Sequence, residues 1–197
     1  MSAPALPKIQ QADLPGIVNL LDLPPEARQA IARCSAAVEA LDELARAGFL
    51  IEATRLLAHA LPKREAVWWA CMCARHVPLP DLPEADGKAL EAAEAWVRKQ
   101  TDELRRQAMD LAQSSGFATP ECWAAVAAFW SGDSMAPLGQ PAVPPAPHLA
   151  GRAVSGAVAL ASVRTKPERA TARLQQFLAS GREIAAGGPG RLTPEAA

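Results

Sequence analysis

Tyrosine is absent from this chain, and aromatic residues together make up 5% of it. The β-branched residues are scattered, and no segment alternates apolar and polar positions over a useful length, so the sequence offers no pattern for a β-sheet. No apolar run approaches the roughly 18 residues of a bilayer-spanning helix; the densest window, residues 66–74, falls far short. The first 13 residues hold no apolar stretch fit for a signal-peptide core, and Pro4 and Pro7 interrupt what is there, so export by a cleaved signal is not expected. An excess of charge of one sign is missing too. The 20 Lys and Arg against 21 Asp and Glu leave a formal net charge of −1, which speaks against a nucleic-acid or anionic membrane partner. The four cysteines, Cys34, Cys71, Cys73 and Cys122, stand in alanine-rich helical contexts rather than in a loop-rich disulfide scaffold, which fits reduced thiols in a cytoplasm. Only five of the 20 basic residues are lysine, and with the abundance of alanine this composition is of the kind associated with GC-rich bacterial genomes.

What is present is helix, in a chain of 197 residues that is 50% apolar and long enough to bury a core of its own. The Pro24-Pro25-Glu26 sequence opens a helix, with proline in a first turn where its missing N–H costs nothing. Over residues 36–47, Val38, Leu41, Leu44 and Ala45 recur at helical spacing while Glu39, Asp42, Glu43 and Arg46 take the other face, and Gly48 ends the element. A partner helix follows over residues 50–61, and Pro62 leads into a central helix that is apolar all round over residues 66–74. The prolines at 78, 80 and 83 form a stiff connection. One long helix is expected over residues 84–113, with Leu90, Ala93, Val97, Leu104, Ala108 and Leu111 buried and i,i+4 pairs Glu94–Arg98 and Asp102–Arg106 on its wet face. Thr119-Pro120-Glu121 reads as the start of the next, which carries Trp123 and Trp130 on one face. Two more helices, over residues 149–163 and 167–185, are expected to pack back onto the rest. The prediction is therefore one all-α domain of about eight helices over residues 15–185, built from antiparallel pairs with α-solenoid-like stacking. It includes an extended proline-rich linker at 133–148 and is flanked by a flexible N-terminus, 1–14, and a disordered tail, 186–197.

Candidate chemistry is sparse. Cys71, Cys73 and His76 have the side chains of a zinc site, but residues two apart on a helix point about 200° away from each other, so Cys71 and Cys73 cannot share an ion. They read as small buried hydrophobes. His59 and His76 lie near helix C-termini, where capping is the natural role, and His148 ends the proline linker in a solvated position. No G-x-S-x-G, phosphate loop, H-E-x-x-H or G-x-G-x-x-G occurs, so no catalytic residue, metal or cofactor is assigned and the protein is not expected to be an enzyme. Trp68 and Trp69 point about 100° apart, so either the helix is enveloped or one indole is exposed. An exposed indole rimmed by Lys63, Arg64 and Glu65 has the composition of a binding hot spot. The candidate protein interface is therefore Lys63, Arg64, Trp68, Trp69, Trp123 and Trp130.

The segments Leu61-Pro62-Lys63-Arg64-Glu65-Ala66-Val67-Trp68-Trp69-Ala70-Cys71, Pro120-Glu121-Cys122-Trp123-Ala124 and Ser131-Gly132 resemble a family of helical bacterial proteins of about this length, a domain of unknown function, over residues 12–185. That resemblance implies a cytoplasmic accessory encoded among type VI secretion genes, with an effector or spike component as partner and no catalytic residues to carry over. Two other functions stay open on the residues alone: an immunity protein to a neighbouring toxin, and a small metal-binding protein or enzyme using Cys73 and His76.

Overall fold

Proline and glycine set many of the helix boundaries. In a computed structural model that describes residues 5–196, the elements run α1 (Leu14–Leu20), α2 (Pro25–Ala30), α3 (Ala37–Arg46), α4 (Leu50–Ala60), α5 (Lys63–His76), α6 (Glu84–Lys99), α7 (Asp102–Ser114), α8 (Pro120–Trp130), α9 (Leu149–Val163) and α10 (Ala170–Ala185), with 3-10 turns at Pro7–Ile9 and Pro167–Arg169. No strand occurs among the described residues, and the chain is a single all-α domain. The two helices beyond the eight expected come from α1 and from a break in the long helix. Helix α1 begins at Asp13, whose carboxylate accepts the Gly16 N–H at 3.2 Å, with Pro15 in the first turn.

The expected 84–113 helix is two. Gln100 takes a left-handed conformation (φ 51°), its N–H closing onto Trp96 O at 2.6 Å, and Thr101 then caps α7 by accepting the Leu104 N–H at 3.4 Å. Asp102 and Glu103 fill the first turn of α7, where the helix dipole favours acids, so the Thr-Asp-Glu run starts a helix rather than continuing one. The pair Asp102–Arg106 forms as expected, at 2.6 Å. Glu94 does not reach Arg98 but turns inward to Arg75 of α5, which grips both its oxygens at 2.5 and 2.9 Å.

Helix α5 runs through the middle of the molecule. Ala66, Val67 and every residue from Trp69 to Ala74 are buried, and α6, α8, α9 and α10 pack around them. The alanine-rich α9 lies against α4, α5 and α8, so the C-terminal helices close the array of successive pairs instead of extending it. Small residues permit the close approach: a Cβ added at Gly181 of α10 would lie 2.5 Å from Leu57 of α4 and 3.0 Å from the Trp69 ring.

Three segments expected to be loose are held. Leu6 and Ile9 are buried in the core, and Lys8 pairs with Glu65 at 2.9 Å, so residues 5–13 are part of the fold; the first four residues of the expected flexible terminus lie outside the described ones. The proline-rich connection turns back on itself rather than running extended, because the Ser134 hydroxyl accepts the N–H groups of Ala136 and Val143 while Met135 N–H donates to Val143 O at 2.7 Å. The tail expected to be disordered is hydrogen-bonded to the domain as far as Glu195, and Ala197 lies outside the described residues.

Candidate interaction face around Trp68

The rotation of about 100° between adjacent helical residues sends the two indoles to different fates. Trp69 is fully buried, its Nε1–H donating to Phe177 O at 2.8 Å, and it is withdrawn from the candidate interface. Trp68 is only half-buried, and its Nε1–H donates to Pro189 O at 2.7 Å, which fixes the ring at the surface. Beside it opens a cleft of about 310 Å³ between α5, α6 and the end of α10, lined by Lys8, Arg64, Val97, Arg98, Ile184 and the Gly187–Gly188 backbone. Three cations face it against one carboxylate, Glu65, which Lys8 holds at 2.9 Å and Arg64 approaches at 3.8 Å. Arg64 also donates through Nε to Val97 O at 2.8 Å, so its guanidinium is presented in a fixed orientation. Arg98 is exposed and makes no ion pair among the described residues.

The other candidates lie elsewhere. Lys63 is exposed but does not line this cleft. Trp123 and Trp130 of α8 pack on each other, ring centroids 6.4 Å apart and tilted by 58°, and Trp123 donates to Phe117 O at 3.0 Å against α9 near Gly156. The six residues therefore divide into Arg64 and Trp68 at a cationic cleft, Trp123 and Trp130 in a separate aromatic patch on α8, Trp69 in the core, and Lys63 exposed outside the cleft. Sequence reasoning missed Lys8, Arg98 and Ile184, which only the fold brings to Trp68.

The cysteines and histidines form no group of three or more ligands suited to a metal among the described residues. Burial pushes the Cys71 and Cys73 thiols well above their ordinary range, Cys71 further by the nearby Glu94 carboxylate and Cys73 by Cys71 itself. Cys122 is also pushed up, first by burial and then by Asp86, whose buried carboxylate accepts both the thiol and the Thr119 hydroxyl at 2.9 Å. That network ties the start of α6 to the start of α8. A thiol held protonated in this way is a poor nucleophile. His76 bonds through Nδ1 to Thr193 O at 2.5 Å, meets the Phe177 ring edge-on, and leaves Nε2 buried with no hydrogen-bond partner.

Next to the Trp68 cleft the C-terminal segment is clamped. Beyond Pro189, Gly190 O accepts the Ser180 hydroxyl at 2.5 Å, the Glu195 N–H donates to His76 O at 2.7 Å, and the Glu195 carboxylate meets Arg173 at 2.7 Å. Arg173 is 1% exposed, and it lowers the Glu195 pKa together with Arg169 and His76.

An all-helical domain with a cationic cleft beside a half-buried indole is the class of structure these observations define. The chain belongs to a family of unknown function (DUF6931), whose model matches residues 40–185. No curated protein and no solved structure matches it. The matched range takes in Arg64, Trp68, His76, Arg98, Arg173 and Ile184, and leaves out Lys8 and the clamped tail.

Proposed function

We propose that the protein is a non-enzymatic, protein-binding accessory, an adaptor or chaperone-like component of bacterial type VI secretion that works in the cytoplasm. The observation that supports the binding role is the Trp68 cleft: a half-buried indole, oriented by its bond to Pro189 O, beside Arg64 and Arg98. Trp and Arg are the residues in which binding energy concentrates at protein interfaces. The sign of the cleft favours an acidic partner surface. The bacterial and secretion parts of the reading are supported by the composition and by the motif resemblance alone. None of the described helices is long and apolar enough to cross a membrane, which is compatible with that setting.

The test is capture of partners by the tagged protein from the cells that make it, with Trp68→Ala and Trp123→Ala as paired controls. A secretion effector or spike protein lost with Trp68→Ala and kept with Trp123→Ala supports the adaptor reading. A toxin captured instead moves the reading to immunity. Partners that ignore Trp68→Ala refute the assignment of the cleft.

A further inference from the structure

Residues 189–195 lie along a shallow channel, open to solvent, bounded by α5, α10 and the turn between α9 and α10; Gly190 is buried, Leu192 and Glu195 are half-buried and the other residues exposed, and what holds the segment is mostly main chain. Trp68 Nε1–H donates to Pro189 O at 2.7 Å, Ser180 Oγ to Gly190 O at 2.5 Å, His76 Nδ1 pairs with Thr193 O at 2.5 Å, and Glu195 N–H donates to His76 O at 2.7 Å. Leu192 is the one apolar side chain of the segment that packs partly against the core. A single charge completes the set: the Glu195 carboxylate accepts from Arg173 at 2.7 and 3.1 Å, with Arg169 at 3.5 Å. Arg173 is independently held by the carbonyls of Ser162 and Arg164, at 3.0 and 2.6 Å, so its guanidinium stays in place whatever occupies the channel. Main-chain hydrogen bonds at intervals plus one charged side-chain pocket are the chemistry by which proteins recognise extended peptides.

The channel walls, Trp68, His76, Arg173 and Ser180, lie inside the family match, while the segment that fills the channel lies outside it. At Trp68 the channel opens into the cleft lined by Lys8, Arg64 and Arg98. The chain's own tail does not cross that cleft, since it descends from the end of α10 through Gly187 and Gly188 on its rim. An occupant arriving from another molecule would continue N-terminally from the Pro189 position across the cations.

We propose that this channel is a docking site for an extended segment of a partner protein, with a carboxylate where Glu195 sits and acidic residues preceding the Pro189 position. The chain's own residues 189–195 are the resident competitor. The inference rests on the reading of the protein as a binding accessory. A tethered competitor stands at high effective concentration, so a free peptide meets an occupied site until the tail is released.

Gly190 allows the tail to be released without touching the walls. Its φ is +58°, and an added Cβ would lie 2.3 Å from the Ile184 side chain and 2.8 Å from Ser180 O, so Gly190→Val ejects the tail. The probe is a dye-labelled peptide of residues 188–196, Gly-Pro-Gly-Arg-Leu-Thr-Pro-Glu-Ala, titrated by fluorescence anisotropy into full-length wild type and full-length Gly190→Val. The variant is expected to bind it at least tenfold more tightly than wild type. A glutamine in place of the peptide glutamate should weaken binding by about tenfold, in keeping with a hydrogen bond to a charged group, and two aspartates added at its N-terminus should strengthen it severalfold.

Equal binding by both chains, or indifference to the glutamine change, overturns the proposal. If Gly190→Val fails to fold, amide hydrogen exchange in wild type decides. The Glu195 N–H should exchange at least a hundredfold faster than that of Trp69, and equal rates would make the tail a fixed part of the domain and end the idea. Light scattering showing a wild-type dimer would make a second copy's tail the occupant and likewise overturn it. If the peptide fails while a Trp68-dependent partner is still captured, this inference falls and the adaptor reading stands.

Discussion

Adjacent tryptophans on one helix have different surroundings here, and substitution should separate them. Trp69 fills the centre of the core with its N–H bonded to Phe177 O, so Trp69→Ala leaves a cavity and should cost about 3–5 kcal/mol of stability in urea unfolding. Trp68 sits at the surface, so Trp68→Ala should cost about 1 kcal/mol, the loss of one hydrogen bond and part of a ring's burial, while removing the proposed binding determinant. A comparable loss for both would mean that Trp68 is also structural and unsuited to a binding control. His59 gives a pH signature. Its ring lies against Gly151 of α9, and burial first, then the positive charge of His148 and Arg152, lowers its pKa below the ordinary 6.5. The folded state therefore binds the proton less readily than the unfolded chain. The stability this protects is fully present above about pH 6.5 and is lost as pH falls through the lowered value in the native protein. The urea midpoint should decline from pH 7 toward pH 5, and His59→Gln should flatten that part of the curve. An unchanged slope in the variant would assign the decline to other groups.

Helix ends in this protein are legible where the cap lies in a loop of recognisable composition, and are masked where it lies inside an amphipathic pattern. The apolar spacing of Leu90, Ala93, Val97, Leu104, Ala108 and Leu111 is continuous across the α6–α7 break, so periodicity alone reads one helix. Only Thr101, followed by two acids, marks the restart, and those acids fit an i,i+4 pair equally well. Thr101→Ala should destabilise the protein by about 1 kcal/mol through loss of the N-cap. Gln100 holds a left-handed conformation (φ 51°) that costs an L-residue about 1–2 kcal/mol, so Gln100→Gly should stabilise by a part of that amount. Thermal or urea melts of the two variants should move in opposite directions, and a shared direction would place the break under the control of packing. The other elements were legible for the reason this one was not. Helix α9 has the bounds read from the sequence, because a proline-rich stretch precedes it and a Pro-Glu-Arg turn follows. The Trp68 cleft was legible only in Arg64, Glu65 and Trp68, since Lys8, Arg98 and Ile184 reach it from distant parts of the chain. The tail was hidden for a related reason: Gly187, Gly188 and Gly190 have the composition of a loose end, and its bonds run through main-chain atoms that sequence pattern does not report.

The molecule closes into one body through contacts far apart in sequence, and the most buried of its ion pairs shows how. Glu121, in the first turn of α8, is gripped at both oxygens by Arg164 at the end of α9, and the same guanidinium donates to Val77 O just beyond α5 at 2.9 Å. Three helices of the core thus meet at one charge pair whose side chains are 2% and 8% exposed. A buried pair need not stabilise more than apolar residues of the same volume would, but removing one partner strands the other. Glu121→Ala and Arg164→Ala should each therefore cost about 3–5 kcal/mol, much of it the penalty of an unpaired buried charge. The double variant has no charge to strand, so its loss should fall short of the sum by at least about 1.5 kcal/mol, within the coupling found between contacting residues. Urea unfolding of the four proteins measures this, followed by both tryptophan fluorescence and far-UV circular dichroism. Because α9 bridges α4, α5 and α8, the two signals should unfold together in wild type. Coupling near zero would mean that Glu121 and Arg164 are each satisfied by other groups when alone. Separated transitions in either single variant would show instead that the pair is what fastens the C-terminal helices to the rest.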